Sequence, residues 1–148
     1  MKTWQQLRSE GAWSVSKAMM DVYRQFQDRA ARGYEKRGYD GLTIAHVHFL
    51  ARIEETGTRI SQVAVELGTT KQYASRLARE MELKGLIELL PDAGDRRAVL
   101  ACPTERGRPF LEAASEVRRE LERWFDARLG PDLAREFMKI LSKLSVQK

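Results

Sequence analysis

Polar and cationic side chains recur at helical spacing just after residue 70. Lys71, Ser75 and Arg79 follow one another at intervals of four, and Gln72 and Arg76 form the adjacent row. Positions four apart on a helix lie one above the other, so these five side chains share one surface. Arginine and lysine bind guanine edges or phosphates, and glutamine pairs with adenine. The pattern therefore offers groove recognition of a double-stranded nucleic acid.

A second cationic group, Arg96 and Arg97, follows a run of turn-forming residues from Pro91 to Asp95. Apolar stretches at 86–90 and 98–102 flank this run, which predicts a two-stranded ribbon with a charged tip. Arginines on a narrow loop are placed to enter a minor groove or to grip phosphates. Asp95 is expected to orient the two guanidinium groups by bidentate pairing.

A short helix and a sharp turn must hold the cationic helix in place. Ser61 is the expected N-cap of the short helix, and Gly68 is expected to end it. Thr69 or Thr70 then caps the longer helix, since Thr69 with Gln72 has capping-box spacing and Thr70 suits the turn length equally well. Its core-facing positions are Ala74, Leu77 and Met81.

The candidate nucleic-acid contacts lie on the longer helix and on the ribbon tip. For two positions on the longer helix, Arg79 and Tyr73, a second interpretation remains open. The Arg79 charge is either solvated or bound to a phosphate, and Tyr73 shares a row with Leu77 and Met81, so it either packs or contacts a base. The set is Thr70, Lys71, Gln72, Tyr73, Ser75, Arg76, Asp95, Arg96 and Arg97.

This part of the chain resembles the multiple-antibiotic-resistance regulator (MarR) family. The resemblance is carried, in order and spacing, by Leu67-Gly68, Ser75-Arg76, the ELKGL run at 82–86, Asp95-Arg96-Arg97, and Thr104 with Gly107. It implies a cytoplasmic, homodimeric winged-helix transcription factor that binds a pseudo-palindromic DNA operator, often as a repressor released by a small aromatic ligand. No cofactor is implied.

The chain departs from the family pattern near the ribbon. Leu89 and Leu90 stand where basic residues often lead into the wing, so fewer phosphate contacts are expected from this strand. Pro103 replaces the usual leucine before Thr104. Because proline cannot donate a ladder hydrogen bond, the exit of the ribbon is expected to be short or bent.

The fold class predicted from these features is mainly α with a small β-ribbon, a winged helix-turn-helix flanked by dimerisation helices. The chain has 148 residues, 43% of them hydrophobic, which suits a single domain with its own core. Residues 38–108 are the predicted DNA-binding core, and residues 1–37 and 109–148 the predicted dimerisation region. A formal net charge of +5 permits nucleic-acid binding without establishing it.

Long apolar stripes flank the core on both sides. Residues 1–10 are expected to form a frayed or arm-like start. From Ala12 onward the apolar residues recur at helical spacing, which predicts a first long helix. Arg59 with Ile60 is expected to add a short third strand to the ribbon. Thr43 is expected to cap a helix with Ile44, Val47, Leu50 and Ile53 as its core row. Past the ribbon, Thr104 caps a long helix that Gly130-Pro131 ends, and a last helix follows. The flanking stripes are Val15, Met19, Val22 and Phe26; Phe110, Leu111, Ala114, Val117, Leu121, Trp124 and Phe125; and Leu133, Phe137, Ile140, Leu141 and Leu144. They exceed what one small winged helix can cover, which predicts a homodimer.

Other classes of site find little support in the sequence. Cys102 is the only cysteine, and packing is a simpler reading than redox sensing. His46 and His48 diverge by about 200° on a helix and cannot chelate one metal ion unaided, so no metal site is predicted. No GxSxG, HExxH, CxxC or P-loop occurs, so no enzyme is expected. The longest uncharged stretch, Gly41 to Ala51, is far shorter than the roughly 18 apolar residues of a membrane helix.

Two further interpretations remain open at this stage. An aromatic effector would bind between the first long helix and the winged-helix core, beside Trp13, Met20, Tyr23, His48 and Arg52. Core packing and a solvated row are the alternatives for these residues. The chain could instead be a winged-helix protein-interaction module without specific DNA binding, for which Leu89 and Leu90 would form an exposed apolar patch.

Overall fold

The computed structural model describes residues 1–10 and 14–145. Within these ranges the chain forms seven α-helices and one three-stranded antiparallel sheet, which confirms the predicted fold class. The chain divides into two compact units, residues 1–44 and residues 45–148. In chain order the elements are α1 Trp4–Glu10, α2 Val15–Glu35, α3 Ile44–Leu50, β1 Thr58–Arg59, α4 Ile60–Glu66, α5 Lys71–Leu83, β2 Ile87–Pro91, β3 Val99–Pro103, α6 Gly107–Leu129 and α7 Pro131–Leu144.

The first unit holds α1 and α2. The predicted frayed start is wrong for residues 4–10, because Thr3 and Gln6 exchange hydrogen bonds that stabilise the first turn of α1. Ser14 caps α2 by accepting from the Lys17 N–H. The apolar stripe of α2 is buried at Ala30 and Tyr34 and exposed towards its N-terminus, at Val15, Met19, Met20, Val22 and Tyr23.

Helix α3 is shorter than the predicted row of apolar residues, which runs to Ile53. α3 ends at Leu50, and Arg52 and Ile53 continue it only as tight turns whose N–H groups reach three residues back. The predicted core position Ile53 therefore lies beyond the helix and is half-buried, whereas Phe49 and Leu50 are buried.

The short helix α4 starts directly from strand β1. Its N-cap is Arg59, and Ser61 lies inside the helix, so the predicted Ser61 cap is wrong. The reason is that Thr58 and Arg59 pair with β3 and fix where the chain enters the helix. At the other end Gly68 has φ +62°, a left-handed conformation that glycine adopts without strain, and it turns the chain sharply as expected.

The sheet has the strand order β1-β3-β2. The predicted third strand is confirmed at Arg59, while Ile60 is already helical. Of the short or bent exit expected for the ribbon, the short one is wrong, because β3 runs to Pro103 opposite Ile87 and the next N–H, that of Thr104, donates to the Leu86 carbonyl at 3.2 Å. A proline at the strand end interrupts the ladder only at its own nitrogen.

Helices α6 and α7 are joined at Gly130 and pack against each other. Thr104 does not cap α6 as predicted, since its hydroxyl donates to the Gly85 carbonyl at 2.6 Å and Arg106 takes the N-cap position. The predicted break at Gly130-Pro131 is confirmed. Phe110 and Val117 of α6 are buried, and the Phe125 ring of α6 contacts the Phe137 ring of α7 with centroids 5.3 Å apart.

Cys102 and the helix lengths bear on two other classes of function. The Cys102 thiol is free and half-buried, and it lies where a side chain on Gly57 would come within 2.6 Å of its sulfur. It therefore fills the space beside the Gly57 turn. In the ranges 1–10 and 14–145, no helix has both the length and the apolar character needed to cross a membrane.

Candidate nucleic-acid interface

The cationic helix predicted from the sequence is α5, which follows α4 after a turn of four residues, 67–70. Thr70, the second of the two candidate caps, is its N-cap, and the Thr70 hydroxyl accepts from the Tyr73 N–H at 3.1 Å. This bond satisfies one of the amide groups that a helix start leaves without a helical partner. The α4-turn-α5 arrangement is a helix-turn-helix.

Helix α5 has an apolar face, which is buried, and a polar face, which is mostly exposed. Ala74, Leu77 and Met81 are buried, together with Ala78. Burial of these side chains fixes the rotation of the helix about its axis, because each turn presents the same side to the core. The predicted contact residues then lie on the outer side: Thr70, Lys71, Gln72, Tyr73 and Arg76 are exposed, as is Arg79, and Ser75 is half-buried.

Arg76 has neighbours on the surface of α5. Its guanidinium carbon lies 5.0 Å from the centroid of the Tyr73 ring, and its Nε lies 3.9 Å from a carboxylate oxygen of Glu80. The Arg76 side chain remains 64% exposed. The Tyr73 ring therefore packs against the Arg76 guanidinium and does not fill the core. This role lies between the two predicted for Tyr73, which were packing in the core and contact with a base.

The ribbon of β2 and β3 carries its arginines at an ordered tip. Arg96 and Arg97 are both exposed. Asp95 does not pair with their guanidinium groups as predicted; its carboxylate accepts from the backbone N–H of Arg97 at 3.0 Å. An aspartate two residues before an amide forms this local turn more readily than it reaches a long flexible side chain. Asp95 thus shapes the loop, and the guanidinium groups stay available to an external anion.

The contacts of Asp92 at the base of this tip, called here the Asp92 tether, were not predicted from the sequence. The Asp92 carboxylate accepts from the Gly94 N–H at 2.8 Å and from Arg59, whose Nε and terminal nitrogen lie at 2.6 and 2.5 Å. These bonds, the Gly94 N–H first and the Arg59 guanidinium second, lower the pKa of Asp92. Arg59 stands 33 residues before Asp92, so no local spacing could have signalled the pair.

Two hydrogen bonds join α5 to the ribbon. A carboxylate oxygen of Glu82 accepts from the Leu89 N–H of β2 at 3.3 Å, and the Thr104 hydroxyl donates to the Gly85 carbonyl just beyond α5. Gly85 makes the intervening turn at φ +70°. The exposed face of α5 and the ribbon tip are therefore held by one connected framework within the second unit.

This arrangement agrees with a comparison against known protein families. Residues 40–98, which span α3, α4, α5 and most of the ribbon, match the model of the MarR family. The winged helix-turn-helix of this chain is similar to that of the MarR family. The resemblance seen in the sequence is thereby confirmed.

Solved structures extend the likeness to the fold of nearly the whole chain. The MarR-family fold aligns with the S. aureus MepR-DNA complex at TM-score 0.73 and 22% identity, covering 89% of this chain and 96% of that one. It aligns with AbsC, a MarR family transcriptional regulator from Streptomyces coelicolor, at TM-score 0.67 and 21% identity, covering 98% and 95%.

A curated relative is similar over a shorter range. An uncharacterized protein of Mycobacterium bovis is 32% identical over 77 residues, which is 52% of this chain and 54% of the relative. The chain thus spans about half the length of the curated relative that it matches.

The residues proposed to meet an effector divide between the two units. Met20 and Tyr23 of α2 are exposed, and the Tyr23 hydroxyl accepts from the Gln27 amide at 2.8 Å. His48 of α3 is exposed, and the guanidinium of the half-buried Arg52 donates to the His48 carbonyl at 2.7 Å. His48 is only partly shielded from solvent, and this partial desolvation together with the nearby Arg52 charge lowers its pKa. Trp13 lies outside the described residues.

The two histidines of α3 have separate surroundings. His46 is buried and lies 2.8 Å from a carboxylate oxygen of Glu80 on α5, whereas His48 is exposed. Burial lowers the pKa of His46 more than the Glu80 carboxylate raises it. In the part of the chain that the structure describes, no three His, Cys, Asp or Glu side chains converge as metal ligands.

The Asp92 tether should titrate at unusually low pH. Its pKa is below the ordinary value of 3.8, so the bonds to Gly94 and Arg59 are complete above that value and are lost as the pH falls through the lower folded pKa. Following the Gly94 amide by NMR should give a midpoint below pH 3.8. Asp92→Asn, the control, should remove this transition. A midpoint at or above 3.8 in the parent would show that the tether does not form.

Proposed function

We propose that this chain is a homodimeric transcriptional regulator that binds double-stranded DNA of specific sequence. The observation that carries the proposal is the hydrogen-bonded connection between α5, with its exposed cationic face, and the ribbon that carries Arg96 and Arg97 at its tip. In this proposal the N-terminal part of α5 enters a major groove, where Lys71, Gln72 and Arg76 meet base edges or phosphates. Arg96 and Arg97 reach the adjacent minor groove. The MepR-DNA complex, which shares the fold, supports the assignment.

The exposed apolar side chains support the homodimer. On α7, Ala134, Phe137 and Leu141 are buried or half-buried, while Leu133, Ile140 and Leu144 form an exposed row beside them. The N-terminal half of α2 is also apolar and exposed. A single chain in water would not keep both surfaces uncovered, because contiguous exposed apolar patches usually mark an interface. The proposed dimerisation region is residues 1–37 and 109–148, around a DNA-binding core at 38–108.

The proposal implies a defined target geometry. Two copies related by a two-fold axis present two copies of α5, which read half-sites about 10 to 11 base pairs apart in a pseudo-palindrome. Such a regulator works in the cytoplasm. It is a binding protein and not an enzyme, in agreement with its family.

The test is a pair of titrations at two salt concentrations. The protein should bind the DNA upstream of its own gene at least a thousandfold more tightly than random DNA of the same length, as specific regulators typically do, with both affinities falling steeply as salt rises. The random DNA is the control for charge-driven binding. Equal affinity for both sequences, or binding that salt leaves unchanged, would contradict the proposed function.

Binding that is absent or insensitive to salt would favour a protein-interaction module. One observation bears on that alternative. Leu90 of β2 is 45% exposed, but Leu89 is half-buried, so the ribbon offers a smaller apolar patch than the two leucines suggested. The exposed cations of α5 and of the ribbon tip have no role in such a module, and DNA binding is therefore preferred.

The proposal includes repression that a small aromatic ligand releases. Within the first unit, the exposed Met20 and Tyr23 offer apolar surface to such a ligand. The ligand would favour a dimer whose two α5 helices are spaced wrongly for successive major grooves. It can shift that equilibrium only by its differential affinity for the two spacings, typically about 1 to 3 kcal/mol.

Reciprocity supplies the test of the effector. If a ligand lowers DNA affinity, DNA must lower the affinity for that ligand by the same factor. Calorimetric titration of salicylate-like compounds should give weaker binding to the DNA complex than to the free protein, by roughly 5- to 150-fold. A panel of aromatic acids that binds neither form, or both forms equally, would leave a regulator without this switch.

A further inference from the structure

The carboxylate of Glu80 lies between a buried histidine and the exposed cation at the centre of the proposed DNA-binding face. One of its oxygens is 2.8 Å from the His46 ring nitrogen Nε2, and the other is 3.9 Å from Arg76 Nε. His46 is 3% exposed and Glu80 is 43% exposed. The side chain thus runs from the core of the second unit to its surface.

The direction of the inner hydrogen bond follows from the chemistry of the acceptor. A carboxylate oxygen can only accept, so the His46 Nε2–H donates to Glu80. A hydrogen bond to an ionised acceptor from a buried donor is stronger than one between neutral groups. Glu80 is therefore fixed at one oxygen while the other faces Arg76.

Arg76 meets Glu80 on one side and Tyr73 on the other. Long helical side chains lean towards the N-terminus of their helix, which brings the Arg76 guanidinium to 5.0 Å from the Tyr73 ring centroid. An isolated exposed ion pair restrains a side chain only weakly, because solvent and the loss of rotamer freedom oppose it. A carboxylate already held from the core loses less freedom, and its restraint on Arg76 is correspondingly larger.

Glu80 is unexpected on a DNA-binding surface, since a carboxylate repels phosphates and its charge lowers the affinity for any DNA. We infer that Glu80, anchored by His46, is a positioning residue that holds the Arg76 guanidinium over Tyr73 and thereby raises discrimination between DNA sequences. The inference rests on the proposed function of the α5 face. The charge of Glu80 thus lowers the affinity for all DNA, while its hold on Arg76 raises the discrimination between DNA sequences.

Glu80→Gln tests this assignment in DNA binding. The ratio of affinities for the upstream DNA and for random DNA should fall roughly two- to tenfold, while random DNA is bound as tightly as by the parent or more tightly. Glu66→Gln is the matched control, because it removes the same charge from the exposed end of α4, where Glu66 contacts Gln62 and not Arg76. A general loss of structure would instead weaken both DNAs together.

A double-mutant cycle shows whether Glu80 acts through Arg76. In an Arg76→Ala background, Glu80→Gln should leave the affinity ratio within about twofold of its value without the second change. The inference is overturned if Glu80→Gln lowers the ratio equally in both backgrounds, or if it changes both DNA affinities as Glu66→Gln does.

A measurement without DNA separates this inference from the proposed function. In the free protein, NMR relaxation of the Arg76 Nε–H should show an ordered group that becomes mobile in Glu80→Gln and, provided that it remains folded, in His46→Phe, which loses the donor. Equal Arg76 mobility in the parent and in Glu80→Gln would overturn the inference even if the protein binds DNA. An ordered Arg76 in a protein without sequence preference would refute the proposed function and the gain in discrimination, and would leave only the positioning of Arg76 by Glu80.

Discussion

Arg76→Ala is expected to weaken binding to the upstream DNA by about 1 to 3 kcal/mol, which is roughly a 5- to 150-fold rise in Kd. Arg76 is exposed at the centre of the α5 face and already stacked on Tyr73, so little further ordering is needed when it meets a base edge. Loss of a base contact removes discrimination at one position of each half-site. Competition titrations with operators altered at single base pairs will locate that position.

Two further variants calibrate this result. Arg119→Ala removes the same charge from the exposed side of α6 and should leave both affinities nearly unchanged. Arg97→Ala at the ribbon tip should weaken binding to every sequence similarly and lower the salt slope by about one, as loss of a phosphate contact does. If Arg76→Ala binds the upstream DNA like the parent, the proposed role of the α5 face is wrong.

Leu133→Glu combined with Leu144→Glu is expected to convert the dimer to a monomer. These side chains are 64% and 67% exposed in a single chain, so two carboxylates there leave the monomer core intact. Within a dimer interface the same carboxylates would be buried without partners, which is strongly unfavourable. Light scattering at micromolar concentration should give about twice the mass of one chain for the parent and the mass of one chain for the variant.

The opposite face of α7 provides the control for the dimer prediction. Ser142→Glu adds a carboxylate on the polar side of the same helix and should leave the mass of the dimer unchanged. The monomeric double variant should lose most of its affinity for the upstream DNA, because two half-sites are then bound independently. A parent chain that is already monomeric would refute the homodimer.

The correct predictions depend on single residues or on residues that are close together in the sequence. The Thr70 cap and the buried side of α5, at Ala74, Leu77 and Met81, follow from spacings of three and four residues within one helix. The left-handed turn at Gly68 and the break at Gly130 depend on single glycines. The capping-box spacing of Thr3 and Gln6 was also present in the sequence and would have indicated α1.

The errors arise where a distant contact competes with a local one. Ser61 has the right chemistry for a cap, but pairing of β1 with β3 starts α4 two residues earlier, with Arg59 as the N-cap. Thr104 is drawn to the Gly85 carbonyl, 19 residues away, instead of to the first turn of α6. The Arg59–Asp92 and His46–Glu80 pairs span 33 and 34 residues and have no periodic signal in a single sequence.

Footprinting on the upstream DNA tests the central claim most directly. With random DNA present in excess as competitor, the parent should protect two half-sites whose centres lie about 10 to 11 base pairs apart, one for each copy of α5 in the dimer. Arg76→Ala should reduce protection at matching positions in both half-sites, while Arg119→Ala should protect like the parent. A single protected half-site would contradict the homodimer, and uniform or absent protection would contradict sequence-specific DNA binding by this chain.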